Sequence, residues 1–198
     1  MGGRSIQREP QVLTVSDVAR EILAKAGWLV YLNRIHESNE TVAIEFLQNL
    51  QDNHFTVRGQ HITVTDDIIA EVSGLPATRP VWTLKKERLQ MIMEIFQDVG
   101  QNLTVRGNRV LLAALGEPWA ELARIIQSYI TCEGRKDVVI PRHLKLLVVL
   151  KQKCFVNLPA FLNSLLHDVS RSMKKAQHVE LIVSHHGLLR LIVSHSLS

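Results

Sequence analysis

Apolar positions recur at helical spacing, three or four residues apart, along most of the chain. Val18, Ile22, Leu23 and Ala26 form a first stripe, with Ser16 or Asp17 placed to cap it. Gly27 interrupts the run, and Trp28, Leu29, Tyr31, Leu32 and Ile35 form a second cluster. After the polar break HESNE (36–40), residues 41–51 read as a helix with Val42, Phe46, Leu47 and Leu50 on one face. Residues 77–82 form a loop with Pro80 and Trp82. Thr83 then caps a helix striped by Leu89, Ile92, Met93, Phe96 and Val99 and stopped by Gly100. Three further helices begin with proline in the first turn, where its missing N–H costs nothing: Pro118, Pro141 and Pro159. Cys154-Phe155-Val156 reads as an extended piece leading to Asn157, and the near repeat LIVSHH and LIVSHS closes the chain around Gly187.

The period changes from helical to two at residues 55–65. Phe55 and Val57 alternate with Thr56 and Arg58, and Ile62 and Val64 with His61, Thr63 and Thr65. That is the pattern of a half-buried β-hairpin. With Gly59-Gln60 as a glycine-led loop, the turn is type II′, and Val57 faces Ile62, Phe55 faces Val64 and Thr56 faces Thr63. Moving the loop to Arg58-Gly59 sets Val57 against Gln60, the less favoured register. A lone hairpin is marginal in water, so this one must lie on helices. Thr65-Asp66-Asp67 then starts a helix carrying Ile68, Ile69 and Val72, which Gly74 and Pro76 end. The segment 102–116 repeats the string TVRG, but its second half loses alternation. RVLLAALG reads as a helix, and a second hairpin is the alternative.

These elements predict a mainly α fold, a multi-helix orthogonal bundle of roughly seven to nine helices with one short β-hairpin near residues 55–65. Residues 1–14 read as a flexible tail and 15–175 as a single helical domain. Residues 176–198 read as a C-terminal apolar helix or tail, whose ending suggests a shortened chain. The 198 residues, 46% of them hydrophobic, suffice for one ordinary domain. No apolar run is long enough to span a membrane, and the N-terminus has no signal-peptide core. An intracellular location is therefore expected, the nucleus included. Cys132 and Cys154 lack CxxC spacing and read as reduced thiols.

Net charge is +4 but unevenly spread. Residues 134–175 hold nine Lys or Arg against Asp137 and Asp168, while residues 1–133 are slightly acidic. Within this basic region Arg135, Lys136, Arg142, Lys145, Lys151, Lys153, Lys174 and Lys175 are the candidate nucleic-acid-binding residues. A solvated helix surface is the simpler account of the same charges, and no interleaved aromatics support base stacking. Arg58 and Arg106, each beside a glycine, could contact phosphate from a loop. The favoured reading is structural, with the arginine stem covering apolar surface.

No set of residues reads as catalytic, cofactor-binding or metal-binding. His178, His185, His186 and His195 lack partners at ligand spacing apart from Glu180. Asp66, Asp67 and Glu71 could form the acidic set of a nuclease, but capping already accounts for the two aspartates. Ser184-His185 and Ser194-His195 are chain neighbours without a nucleophile elbow. Trp28, Trp82 and Trp119 read as core.

Three separated stretches carry a resemblance. GWLVYL (27–32) with VAIEFLQNL (42–50) comes first, then VRGQHITVTDDIIAEVSGLP (57–76), then VIPRHLKLLVVLKQKCFVNLPAFLNSLL (139–166). In order and spacing these resemble the plant transposon protein domain found in open reading frames of plant retroelements. Gly27-Trp28, Glu45-Phe46-Leu47, Asn49, Val57-Arg58-Gly59, Gly74-Leu75-Pro76, Pro141-Arg142 and Asn157 hold the family's places. Leu47 replaces the usual aromatic, and the LIVSH repeat replaces the family's closing segment. The resemblance spans about residues 20–170 and implies no enzymatic activity and no agreed functional residues. The expectation is a non-enzymatic, retrotransposon-derived domain that acts by macromolecular binding. Its partner would be nucleic acid through the basic region 134–175, another protein, or a second copy of itself. A degenerate retroelement nuclease and a folded relic are the alternatives.

Overall fold

The computed structural model describes residues 14–35, 49–51, 53–57, 59–77, 105–106, 109–132, 135–153, 156–175 and 185–197. Residues 41–48 of the expected helix over 41–51, the expected helix over 84–100, Trp82, Cys154-Phe155 and the N-terminal tail up to residue 13 lie outside these, and at the end of the first of those helices Gln51 bridges to His54. The described chain is mainly helical, with two small antiparallel sheets. Its helices are α1 (Asp17–Lys25), α2 (Leu29–Arg34), α3 (Asp66–Ser73), α4 (Trp119–Ile125), α5 (Pro141–Gln152), α6 (Leu158–Lys175) and α7 (His186–Leu197). Strands β1 (His54–Val57) and β2 (Gln60–Thr63) form the first hairpin. Strands β3 (Val105–Arg106), β4 (Arg109–Leu111) and β5 (Val138–Val139) form a second sheet with β4 in the middle.

Local chemistry sets the helix ends. Ser16 caps α1, its Oγ accepting from Ala19 N–H at 3.3 Å. The same residue ties α1 to α4, because its N–H donates to Glu121 Oε1 at 2.7 Å and its hydroxyl to Glu121 Oε2. Of the expected stripe, Ile22, Leu23 and Ala26 face the core and Val18 does not, its place being taken by Ala19. Ala19 and Leu23 are fully buried, and Val18 is 56% exposed. Thr65 Oγ1 accepts from Ile68 N–H at 3.2 Å and starts α3. Gly74 ends it at φ 70°, where a Cβ would stand 2.8 Å from Val30 Cγ1. Asn157 Oδ1 accepts from Ala160 N–H at 3.0 Å at the head of α6, with Pro159 in the first turn.

The first hairpin takes the register that was the less favoured expectation, and Arg58 lies outside the described residues. Phe55 pairs with Ile62, Thr56 with His61, His54 with Thr63 and Val57 with Gln60. The expected pairing is therefore off by two residues. Gly59 sits at φ 80° in the second loop position, where type I′ and type II turns both need a positive φ. This pairing buries Phe55 directly against Ile62 and lines the other face with two Thr–His hydrogen bonds. Thr56 Oγ1 meets His61 Nδ1, and Thr63 Oγ1 meets His54 Nδ1, each at 3.2 Å.

The second TVRG string also forms a hairpin, where a helix was the favoured expectation. Val105 pairs with Val110 and Arg106 with Arg109. β5 then covers the other edge of β4, so the apolar Val110 and Leu111 are strand residues. The helical expectation survives only as a 3₁₀ turn at Leu112–Leu115.

The centre of the fold is the end of α4, where the helix widens into a π turn over Ile126–Ile130. Widening leaves carbonyls that must find other donors. Tyr31 OH of α2 donates to Tyr129 O at 3.4 Å, and His185 Nε2–H, just before α7, donates to Ile130 O at 3.0 Å. Thr131 N–H and hydroxyl both donate to Ile126 O, at 2.8 and 3.2 Å. Within the turn, the Gln127 amide donates to Val138 O of β5 at 2.5 Å. His143 of α5 completes the set. Its Nδ1 accepts from Ile140 N–H at 3.5 Å, which leaves Nε2–H to donate to Thr131 Oγ1 at 2.9 Å. Around this turn lies one continuous apolar core, fed by every helix. α5 contributes six buried apolar residues, and α7 contributes Leu188, Leu189, Ile192 and Val193. The C-terminal helix is thus an integral part of the domain core.

Two stability predictions follow from this packing. Burial, and secondarily Arg142 beside it, pull His143 down from 6.5 to about 4. Above pH 6.5 both folded and unfolded chains hold it neutral; below that, only the unfolded chain takes up the proton. Stability should therefore fall between pH 6.5 and 4, by about 3 kcal/mol from this group. Urea titrations across that range, compared with a His143→Gln variant, measure it; equal pH slopes in both would refute the assignment. Gly187 packs so closely that a Cβ would lie 2.6 Å from Ile35 Cβ and O. Gly187→Ala should destabilise by about 2 kcal/mol in urea unfolding, and a neutral effect would show that α7 is not seated there.

Candidate functional site

The candidate cations of residues 134–175 divide into groups along α5, which is itself almost wholly buried. At the turn before β5, Arg135 donates to Asp137 from Nε at 3.1 Å and Nη2 at 2.9 Å, and Lys136 is exposed. The Arg135 hydrogen bonds, followed by a backbone hydrogen bond and the charge of Arg109, hold the Asp137 carboxyl below its usual range. At the start of α5, Arg142 reaches Asp168 of α6 at 3.4 Å, and Arg171 meets the same carboxylate at 2.6 Å. Lys145 lies one turn along, half-buried. At the far end, Lys151 stands 5.8 Å from the Trp119 ring centre, and exposed Lys153 ends the helix at φ 53°. There Glu21 of α1 is held below its usual value by the Lys25 hydrogen bond first and by Lys153 to a lesser degree.

Twelve residues of helix rise about 18 Å, so Arg142 and Lys153 stand on opposite ends of α5 and do not share a patch. Lys174 and Lys175 are the last residues of α6; their side chains lie outside the described set. The ion pairs are on exposed side chains, the Arg135–Asp137 pair 73% and 56% open, so each adds little stability. They orient the arginines without neutralising the surface.

The acidic candidates do not converge. Asp66 Oδ1 accepts from Asn163 Nδ2 at 2.8 Å, Asp67 lies in the first turn of α3, and Glu71 lies 3.8 Å from His195 at the other end of that helix. Asp66, Asp67, Thr65, Asn53, Asn157 and Asn163 line a polar cleft of about 390 Å³ between the first hairpin and the heads of α3 and α6. Among the described residues no three His, Cys, Asp or Glu side chains are grouped to hold a metal ion. Of the tail histidines, His185 is buried as a link to the π turn. No helix among the described residues is long and apolar enough to cross a membrane.

Trp28 is buried, as expected of a core residue, and Trp119 is half-buried beneath Lys151. A charge count along the sequence passes over one cation. Arg109 lies outside the basic window, yet β4 carries it into one sheet with Val138–Val139, and its charge is the weakest of the causes that lower Asp137. Its signal in the sequence was the string Arg106-Gly-Asn-Arg109, a two-residue hairpin signature between arginines. No family model, curated protein or solved structure matches the chain.

Proposed function

We propose that this is a non-enzymatic, retroelement-derived helical domain that acts by binding the phosphate backbone of nucleic acid. The kinship is supported by the order and spacing of the Gly-Trp, VRG, Gly-Leu-Pro and Pro-Arg motifs. The observation that carries the binding reading is the placement of charge around α5. Its body is buried, and the cations flanking it are turned outward: Arg135, Lys136, Lys153 and Arg171 are exposed. Only Asp137 and Asp168 oppose the nine cations of residues 134–175. Phosphate is the chemistry such a surface recognises, since arginine forks match its oxygens and no aromatic row is present to stack bases.

Binding to mixed-sequence DNA and RNA across a salt series tests this. Affinity should fall linearly on logarithmic axes, on the order of 40-fold between about 50 and 200 mM salt if three phosphates are contacted. Charge reversal at Lys145, Lys174 and Lys175, and separately at Lys151 and Lys153, would show which end of α5 contributes. Absence of binding to either nucleic acid at low salt would end the proposal.

A further inference from the structure

The cleft between the first hairpin and the heads of α3 and α6 holds about 390 Å³, at the small end of ligand cavities. Capping explains part of its polar lining, since Thr65 Oγ1 accepts from Ile68 N–H and Asn157 Oδ1 from Ala160 N–H. It does not explain Asn163, which lies within α6 beyond the first turn. The Asn163 amide donates from Nδ2 to Asp66 Oδ1 at 2.8 Å. A carboxylate only accepts, so this bond fixes the amide with its nitrogen toward Asp66 and its oxygen turned away. That oxygen, Asn163 Oδ1, is buried and has no hydrogen-bond partner. A buried acceptor without a donor is costly, and the cleft that Asn163 lines gives a donor room to reach it.

The charge of the cleft points the same way. Asp66 is half-buried and Asp67 exposed, and no Lys, Arg or His is among the lining residues. Among the described residues neither aspartate is in an ion pair. Two full negative charges outweigh about half a positive charge at each of the two helix heads. The cleft is therefore negative and rich in acceptors. Asp66 and Asp67 are successive helix residues and leave α3 about 100° apart, which spreads their oxygens instead of focusing them on one point. A divalent ion needs its oxygens gathered within about 2.6 Å. A planar cation with several N–H groups matches spread acceptors better.

We propose that this cleft binds a guanidinium group, with the Asp66 and Asp67 carboxylates facing its charge and Asn163 Oδ1 accepting one of its N–H groups. The site is separate from the phosphate-binding surface and stands or falls without it. The group is carried either by a free small molecule or by an arginine side chain of a partner protein.

The test titrates the full chain with methylguanidinium, methylammonium and methylurea, read by backbone amide shifts. Methylammonium keeps the charge without the fork, and methylurea keeps the planar shape without the charge. Methylguanidinium should move residues 53, 65–67 and 163 saturably, and bind roughly tenfold or more tighter than either control. Asp67→Asn and Asn163→Leu should each weaken it roughly tenfold, the loss of one hydrogen bond to a charged group. Shifts that miss the cleft, or equal binding of the three probes, overturn the proposal. Calcium ion moving the same residues at lower concentration than methylguanidinium also overturns it, in favour of a metal site. If Asn163→Leu does not fold, Asp67→Asn decides, because Asp67 is exposed and its replacement leaves the Asn163–Asp66 bond in place. Unchanged affinity in that variant overturns the site. A peptide with one internal arginine then identifies the source. Its binding at the cleft assigns the group to a partner protein, and binding of methylguanidinium without the peptide assigns it to a small molecule; both uphold the site.

Discussion

One widened helix turn ties four other elements of the fold together through its polar groups. A π turn leaves main-chain acceptors that an α-helix would have satisfied internally, and a buried acceptor without a donor costs about 1–3 kcal/mol. Here the donors come from other helices. Tyr31 brings α2, His185 brings the head of α7, and Thr131 carries the chain on to His143 of α5. Gln127 of the same turn holds β5 by its carbonyl. Burial places Tyr31 so deeply that its hydroxyl is pushed well above its usual range, so it stays a donor at all ordinary pH. The apolar core supplies most of the stabilisation, but it is non-directional. The carbonyl network is what fixes which helix meets which.

The same arrangement explains why the charged surface is divided. α5 must be apolar through its body to sit beside the π turn, which confines its cations to its ends and rims. Arg142 and Arg171 share Asp168, and Lys151 packs over Trp119. Charge that is contiguous in sequence is thus dispersed in space, while β4 brings Arg109, distant in sequence, into one sheet with Val138–Val139.

Much of the helical skeleton was legible because it rests on local rules. Ser16, Thr65 and Asn157 cap as their side chains predict, Gly74 stops α3 in the left-handed region, and Pro141 opens α5. What failed was set by partners far along the chain. Ala19 faces the core in place of Val18, on a helix whose cap Ser16 binds Glu121 more than a hundred residues away. The first hairpin departs from the glycine-led register, setting buried Phe55 against Ile62 and joining Thr56 to His61 and Thr63 to His54. The second hairpin was misread because Val110 and Leu111 are apolar on consecutive positions. That pattern fits a middle strand as well as a helix, and only β5 reveals which. Of the candidate surface, the cations were visible as residue types and their grouping was not.

The seat of α7 has a consequence for how the chain is made. Arg190 donates to Arg34 O, across 156 positions, and His185 reaches back to Ile130. A nascent chain emerging from the ribosome can form α1 through α6 in order, but the acceptor at Ile130 and the apolar surfaces of α2 and α3 stay open until the final helix is released. Such long-range closure slows folding and prolongs exposure of sticky surface. Completion of the core therefore waits on α7, which acts as its clasp.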